Sequence, residues 1–238
     1  MKNTFIFKTA LPVLLAFSLN TIPAKAQQNK NIALTNFNEV TVASGIDLYL
    51  TQSNSENIKV SASKELLENV VIEKNGTSLN IKYKNNQGWG RTFKGQSIKV
   101  YVNYKNLSAI TASGGSDVFG QNTLKTPKLN LRASGGSDVE LDILADDLEV
   151  TVSGGSDAKL KGKVKNMIVQ TSGGSDVDAY DLISDYAKVT ASGGSDANVH
   201  VNKGLEASAS GGSDVNYKGN AALNKTSSSK SGDVTHIK

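Results

Sequence analysis

Apolar and polar residues alternate one for one along most of this chain, which is the pattern of β-strands that bury only one face. Residues 98–104 show it plainly, with Ile98, Val100 and Val102 at every second position. Further along, a five-residue phrase, Ser-Gly-Gly-Ser-Asp, interrupts the alternation, which then resumes. Its six copies occupy residues 113–117, 134–138, 153–157, 172–176, 192–196 and 210–214. The pattern predicts an all-β protein in which each copy joins two short strands.

The spacing of the copies indicates how these strands are arranged. The first serines of successive copies lie 21, 19, 19, 20 and 18 residues apart. A period near twenty is typical of a solenoid, in which each coil buries its apolar face against its neighbours. We therefore predict a parallel β-helix with about 19–20 residues per coil. The phrase forms a corner, because two glycines accommodate the positive φ angles of a tight bend. The return turns between copies vary in sequence.

The aspartate that ends each phrase is predicted to stack on its copies along one edge. These residues are Asp117, Asp138, Asp157, Asp176, Asp196 and Asp214. At the spacing of neighbouring strands, about 4.8 Å, adjacent carboxylates repel each other by roughly 0.9 kcal/mol even in water. Two explanations are open: hydrogen bonds and hydration that stabilise the corner, or a loosely held cation such as calcium. We predict no other cofactor and no dedicated metal site.

The first 26 residues have the features of a secretory signal peptide. Lys2 and Lys8 precede an apolar stretch at residues 10–19, and alanines flank Lys25. Without this segment the formal net charge falls from +4 to +1, because it contains three lysines and no acid. We therefore expect export to the periplasm or cell surface, with no nucleic-acid partner and no membrane-spanning segment after cleavage. The chain has no cysteine, so stacked coils must stabilise it without disulfides.

The rest of the chain, residues 31–238, is predicted to form a single β-helix domain with three parts. Residues 31–104 form less regular N-terminal strands and a cap, residues 105–220 form the repeat coils, and residues 221–238 form a degenerate last coil. A cap is expected because the open end of a solenoid exposes unpaired strand edges.

Three local signals fall within the predicted cap. Residues 43–47 resemble a degenerate copy of the corner with a single glycine. Ser63 is the expected N-cap of one short helical turn, and Asn75-Gly76 is a strong hairpin signal. The cap is therefore predicted to combine a hairpin, a helical turn and an early coil.

Residues 85–97 interrupt the strands and contain the only tryptophan of the chain. Trp89, Arg91 and Phe93 are the candidate binding residues, because an aromatic ring among glycines is not easily buried. Two interpretations are open: an exposed platform for a sugar ring, or a lid that folds back over the first coil.

A polysaccharide-active enzyme on a β-helix scaffold is an alternative function. The distances between stacked aspartates fall in the range that separates the two carboxylates of glycosidases, simply because an aspartate recurs in every coil. Catalysis needs two carboxylates in different surroundings, however, and the repeat aspartates share nearly one environment. His200 is expected on an outward strand face and His236 in the C-terminal tail, so neither is a candidate base. We assign no catalytic residue.

Several segments together resemble the head GIN domain family, whose members are labelled autotransporter adhesins and are frequent among exported proteins of Bacteroidetes. Besides the phrase, the resemblance is carried by residues 37–40, 44–50, 79–81 and 214–219. It implies a right-handed parallel β-helix and export, and it offers no catalytic residues. We therefore predict a non-enzymatic module that binds a polysaccharide or an envelope protein. A calcium-stabilised repeat protein and an envelope spacer are further alternatives.

Overall fold

The computed structural model describes residues 27–84, 96–226 and 231–238. Its regular structure is almost entirely β and forms a solenoid of about seven turns. The elements up to the first complete phrase are β1 (Gln28–Ile32), β2 (Glu39–Ala43), β3 (Ile46–Gln52), β4 (Asn57–Ala62), α1 (Lys64–Leu67), β5 (Val70–Asn75), β6 (Ser78–Tyr83) and β7 (Ile98–Tyr104). The later strands are β8 (Ala109–Ser113), β9 (Val118–Gly120), β10 (Leu124–Ser134), β11 (Asp138–Ser153), β12 (Asp157–Ser172), β13 (Asp176–Ser192), β14 (Asp196–Ser210), β15 (Ser213–Lys218), β16 (Ala222–Lys225) and β17 (Gly232–His236).

From β8 onward the strands stack in parallel, one coil on the next, which confirms the predicted parallel β-helix. The register repeats the phrase: Ser134 pairs with Ser153, Ser153 with Ser172, and Ser172 with Ser192. All six phrases therefore lie in one row. We call this row, residues 113–117 and the five equivalent segments, the corner edge.

The interior is filled by columns of apolar side chains that follow the same register. Val150, Val169 and Val189 form one such column, and each is at most 1% exposed. Full burial of one such side chain contributes about 1.5–3 kcal/mol. Because side chains alternate across a strand, the polar residues between these positions point outward and form the two sheet faces.

Opposite the corner edge the chain bends back, and we call this side the return edge. It comprises residues 125–128, 144–147, 163–166, 183–186 and 201–204. The strands β11 to β14 cross it without a break, whereas the sequence suggests separate return turns. Differences in coil length are absorbed outside the corner edge, with register shifts between Lys159 and Lys161, between Ala179 and Ile183, and between Ser184 and Tyr186. The corner edge stays aligned as a result.

The N-terminal end is closed by strands that run against the solenoid. The coil formed by β2 and β3 lies between β6–β7 and β8–β9, although β6 and β7 come after it in sequence. Beyond it, β5 pairs antiparallel with β6, β4 with β7, and β1 with β4. This arrangement confirms the less regular N-terminal strands.

Two local details of this cap differ from the expectation. Ser63 occupies the N-cap position of α1, but its side chain makes no capping hydrogen bond. The single turn closes on the backbone instead, where Leu67 N–H donates to Ser63 O at 3.0 Å. Asn75 still pairs with Ser78, so the hairpin turn consists of Gly76 and Thr77, one position later than the predicted Asn75-Gly76. Gly76 has a φ of 60°.

The C-terminal end is built from two short strands that continue the stack. β16 pairs with β14 and β17 with β15, and Asp233 lies beside Asp214 as in a further coil. Leu223 shares the core column of Leu205, yet it is 40% exposed. Within the described ranges, no antiparallel strand covers this end as β4 and β5 cover the other.

Candidate functional site

The bend of the corner edge is made by two glycines that both adopt the left-handed conformation. In all six phrases their φ angles lie between 63° and 76°. For a residue with a Cβ, this conformation is less stable by about 1–2 kcal/mol. The first glycine is also crowded, since a Cβ on Gly154 would lie 3.3 Å from the Gly135 nitrogen, whereas Gly155 has nothing within 4 Å of that position. The degenerate copy at residues 43–47 has the same bend, with φ angles of 73° at Ser44 and 69° at Gly45.

The second serine of each phrase points into the core and is fully buried in all six copies. In five copies its hydroxyl accepts a hydrogen bond from a backbone amide one coil earlier, whereas Ser195 Oγ accepts from Ser192 N–H of its own phrase at 3.2 Å. Ser137 N–H donates to Ser156 Oγ at 3.0 Å, and the bond recurs farther along at 3.1 Å between Ser195 and Ser213. The serine column therefore satisfies amides that the glycine bend turns away from the strands.

The aspartates lie in register on the outer side of the same edge, as the repeat predicts. Their column is longer than the six phrases, because Asp47 neighbours Asp117 and Asp233 pairs with Asp214. Asp138 N–H donates to Asp117 Oδ1 at 3.3 Å. The amides of Asp196, Asp214 and Asp233 make the same bond to the preceding carboxylate, at 3.2 or 3.3 Å. Backbone donors thus offset part of the carboxylate repulsion.

The electrostatics of the column differ at its N-terminal end. Burial raises the pKa of Asp117, which the Asp138 amide opposes and the Asp47 carboxylate reinforces. Burial also raises the pKa of Asp47, where the ammonium of Lys99 opposes the change. No group of three or more His, Asp or Glu side chains in the described ranges is arranged to hold a metal ion. The calcium explanation remains a prediction.

Trp89, Arg91 and Phe93 lie outside the described residues, so the sugar-platform and lid interpretations both remain predictions. The strands on either side of the segment are described. β6 ends at Tyr83, and β7 begins at Ile98, which pairs with Ile46 directly after the Ser44-Gly45 corner. These two strand ends lie beside the Ser44-Gly45 corner, at the N-terminal end of the stack.

An aromatic stack on the outer face of the N-terminal coils was not found by sequence reasoning. The Tyr49 ring lies 4.9 Å from that of Tyr101 and 5.3 Å from that of Phe119, both nearly parallel. Lys59 Nζ sits 4.4 Å above the Tyr101 ring. Because the rings cover one another, they form a ladder between coils and not an open platform. Tyr49 and Phe119 each lie two residues after a column aspartate, a spacing that could have indicated that they are neighbours. Tyr101 gives no such signal, because its strand β7 follows β3 in sequence but lies on the N-terminal side of it in the stack.

The two histidines have ordinary structural roles. His200 is half-buried on β14 and pairs with Lys218 of β15. His236 lies near the C-terminus, as expected, in β17: its ring stacks on Tyr217 at 4.6 Å, and Nε2 lies 2.9 Å from Gly219 O. His236 pairs with the buried Tyr217 in register but is itself exposed in the last coil.

The return edge has a different chemistry from the corner edge. The large apolar side chains exposed in the described ranges are Leu144, Ile168, Ile183, Tyr186 and Leu223, between 38% and 53% exposed. They lie on the return edge, next to it, or in the last coil. Two open grooves follow this side, one of about 440 Å³ beside Leu144 and one of about 410 Å³ beside Tyr186. This side offers an outside partner apolar contacts that the corner edge lacks.

A family model described as "Putative auto-transporter adhesin, head GIN domain" matches residues 36–221. The chain belongs to this family. The resemblance carried by the repeated phrase is thereby confirmed, and the corner edge is the most regular part of this head GIN domain. No curated protein matches the chain. In the described ranges, this head GIN domain has no helix long and apolar enough to cross a bilayer.

Three solved structures share the fold of this head GIN domain. A putative adhesin from Bacteroides fragilis has a TM-score of 0.83 at 20% identity, covering 90% of this chain and 99% of that one. A putative adhesin from Parabacteroides distasonis has a TM-score of 0.72 at 24% identity, covering 89% and 97%. A protein described as a putative lipid binding protein, from the same species, has a TM-score of 0.69 at 18% identity, covering 89% and 97%.

Proposed function

We propose that this head GIN domain is a non-catalytic module of an exported protein, and that it binds a glycan of the cell envelope along its return edge. The observation that carries the proposal is the exposure of large apolar side chains on that side, beside two open grooves. An adhesion or binding role is consistent with the names of the family and of its structural neighbours. Clustered exposed apolar groups rimmed by polar ones are typical of binding surfaces.

The corner edge supports the proposal by contrast. Its glycine and serine amides bond to the adjacent coil, as Gly135 N–H does to Ser153 O at 3.3 Å. Burial raises the pKa of both Asp47 and Asp117 at its N-terminal end, so these two carboxyls change in the same direction and do not form the acid and base pair that catalysis requires. A ligand therefore finds few unused donors there, apart from solvent around the carboxylates.

Binding of the full chain to a glycan array tests the proposal. We compare a return-edge variant, Leu144→Ser with Ile183→Ser, with a corner-edge variant, Asp157→Asn with Asp176→Asn. We expect the first to lose binding by about tenfold and the second to keep it, because apolar burial contributes to affinity and rim charges contribute little. Incubation with the bound glycan should release no reducing sugar.

Other outcomes would replace the proposal. Loss of binding only in the corner-edge variant would place the ligand on the aspartates. Loss only in Trp89→Ala would place it on the predicted aromatic platform. Absence of glycan binding with flotation of the chain on phospholipid vesicles would favour a lipid partner, and absence of both would favour a spacer role.

A further inference from the structure

Tyr186 is the most exposed large apolar residue of the described ranges, at 53%, and it sits where the return edge meets one sheet face. Its column contains Asn166 one coil earlier and Gly204 one coil later. A side chain on Gly204 would begin 3.2 Å from Tyr186 Cδ1, so the ring leans over the position that glycine leaves free. Ala222 follows in the same column. Small residues thus keep the space beside the ring open.

That space is the groove of about 410 Å³, which lies at the lower end of the roughly 300–1,000 Å³ typical of small-molecule sites. Apolar atoms of Ile168, Tyr186 and Ala222 line it. The polar lining comes from amides and charged groups, Asn166 and Asn224 among them. An apolar floor with polar groups on its rim suits a ring that has an apolar face and hydroxyls around its edge, which describes a pyranose.

The charges of the rim indicate which kind of sugar fits. Lys188 and Glu206 both line the groove, and their Nζ and Oε1 atoms lie 2.8 Å apart. This pair leaves the rim without net charge, and the lysine nearest the Tyr186 ring, Lys203 at 5.8 Å, is itself paired with Asp185 at 3.0 Å. An acidic sugar would place its carboxylate near Glu206 without an unpaired cation to compensate. A neutral sugar meets no such penalty.

We propose that the groove beside Tyr186 is a subsite for one neutral pyranose unit of the glycan, with the tyrosine ring as its stacking surface. This inference rests on the proposed function and adds the residue and the sugar class to it. The second groove, beside Leu144, lies on the same edge nearer the N-terminus. A linear glycan that runs along the return edge would pass both grooves.

Calorimetric titration of the full chain tests the subsite. The probes are neutral oligomers of glucose and of N-acetylglucosamine, together with an acidic oligogalacturonate. We expect a neutral oligomer to bind, Tyr186→Ala to weaken it by about tenfold, and Tyr186→Phe to stay within about threefold, because the ring and not its hydroxyl makes the contact. Tyr180→Ala is the matched control: both rings have a lysine nearby, Lys218 at 4.3 Å from Tyr180 and Lys203 at 5.8 Å from Tyr186, but Tyr180 does not line the groove.

The results separate the subsite from the general function. If a neutral oligomer binds and Tyr186→Ala, with an unchanged Tm, binds it equally well, the subsite is wrong and the glycan-binding function stands. If the acidic oligomer binds more tightly through Tyr186, the neutral assignment is wrong. If no oligosaccharide binds, both the subsite and the function fall.

Discussion

The corner edge and the return edge are two sides of the same coils, yet they use their residues in opposite ways. On the corner edge, each buried serine and most aspartates bond to the adjacent coil, as Ser137 does to Ser156. On the return edge, side chains such as Leu144 and Tyr186 point outward and remain exposed. The repeated residues of the corner edge form hydrogen bonds between coils, whereas the exposed residues of the return edge are accessible to a partner.

In a solenoid, a residue that recurs in every coil is first of all one that the fold requires. A corner with two left-handed residues needs glycine in every coil, and a buried amide needs an acceptor in every coil. A binding surface needs to match its partner only where the two touch, so it has no reason to repeat. The repeated Ser-Gly-Gly-Ser-Asp phrase therefore says little about where a partner would bind.

The largest expected effect comes from a glycine that does not belong to the phrase. Gly162 lies in the sheet that leads to the return edge, has a φ of 114°, and a Cβ there would overlap the Ile143 carbonyl oxygen. We expect Gly162→Ala to destabilise the fold by about 3 kcal/mol or more, because strain and overlap act together. Gly155→Ala should cost only about 1–2 kcal/mol, since it adds strain without overlap.

Urea unfolding of both variants, followed by circular dichroism, measures this difference. Gly155→Asn is the matched control, because asparagine tolerates the left-handed conformation better than alanine does. If Gly155→Ala proved the more damaging change, the second glycine of the phrase would have a role beyond its φ.

A smaller effect is expected inside the corner edge itself. Ser137→Ala removes the acceptor of the buried Ser116 amide, whose N–H lies 3.2 Å from Ser137 Oγ. An unsatisfied buried donor costs about 1–3 kcal/mol. Ser134→Ala is the control: it changes a half-buried serine of the same phrase, and it should cost less than about 0.5 kcal/mol. Thermal melting compares the two, and equal losses would contradict the hydrogen-bonding role of the second serine.

The repeat coils were predictable because each position depends on its own copy one coil away. The alternation around Val150, the bend at the glycines and the aspartate column all follow from a period near twenty and the chemistry of single residues. A regular solenoid needs little information beyond its repeat, since every coil meets the same neighbours.

The coil order at the N-terminus and the proposed binding surface were not predictable in this way. Pairing of β2 with both β6 and β8 places a later strand outside an earlier one, and no local pattern marks such an inversion. Tyr101 and Tyr49 therefore meet although they lie 52 positions apart in the chain and no periodic signal relates them. Tyr186 lies beside Gly204 only because of the register between β13 and β14, which is shifted next to this pair and follows no sequence repeat.

The smallest expected effect concerns the end of the aspartate column. Because burial raises the pKa of Asp47 in the folded protein, ionising this carboxyl costs stability as the pH rises through its unfolded and then its folded pKa. Asp47→Asn removes that cost and keeps the size of the side chain. We expect a rise in Tm of about 1 °C at pH 7, kept small by solvent screening, and no rise at pH 3, where both proteins are neutral at this position. Asp157→Asn, in the exposed middle of the column, is the control and should change Tm less. A gain at pH 3 as large as at pH 7 would show that packing, and not the carboxylate charge, separates Asp47 from the rest of the column.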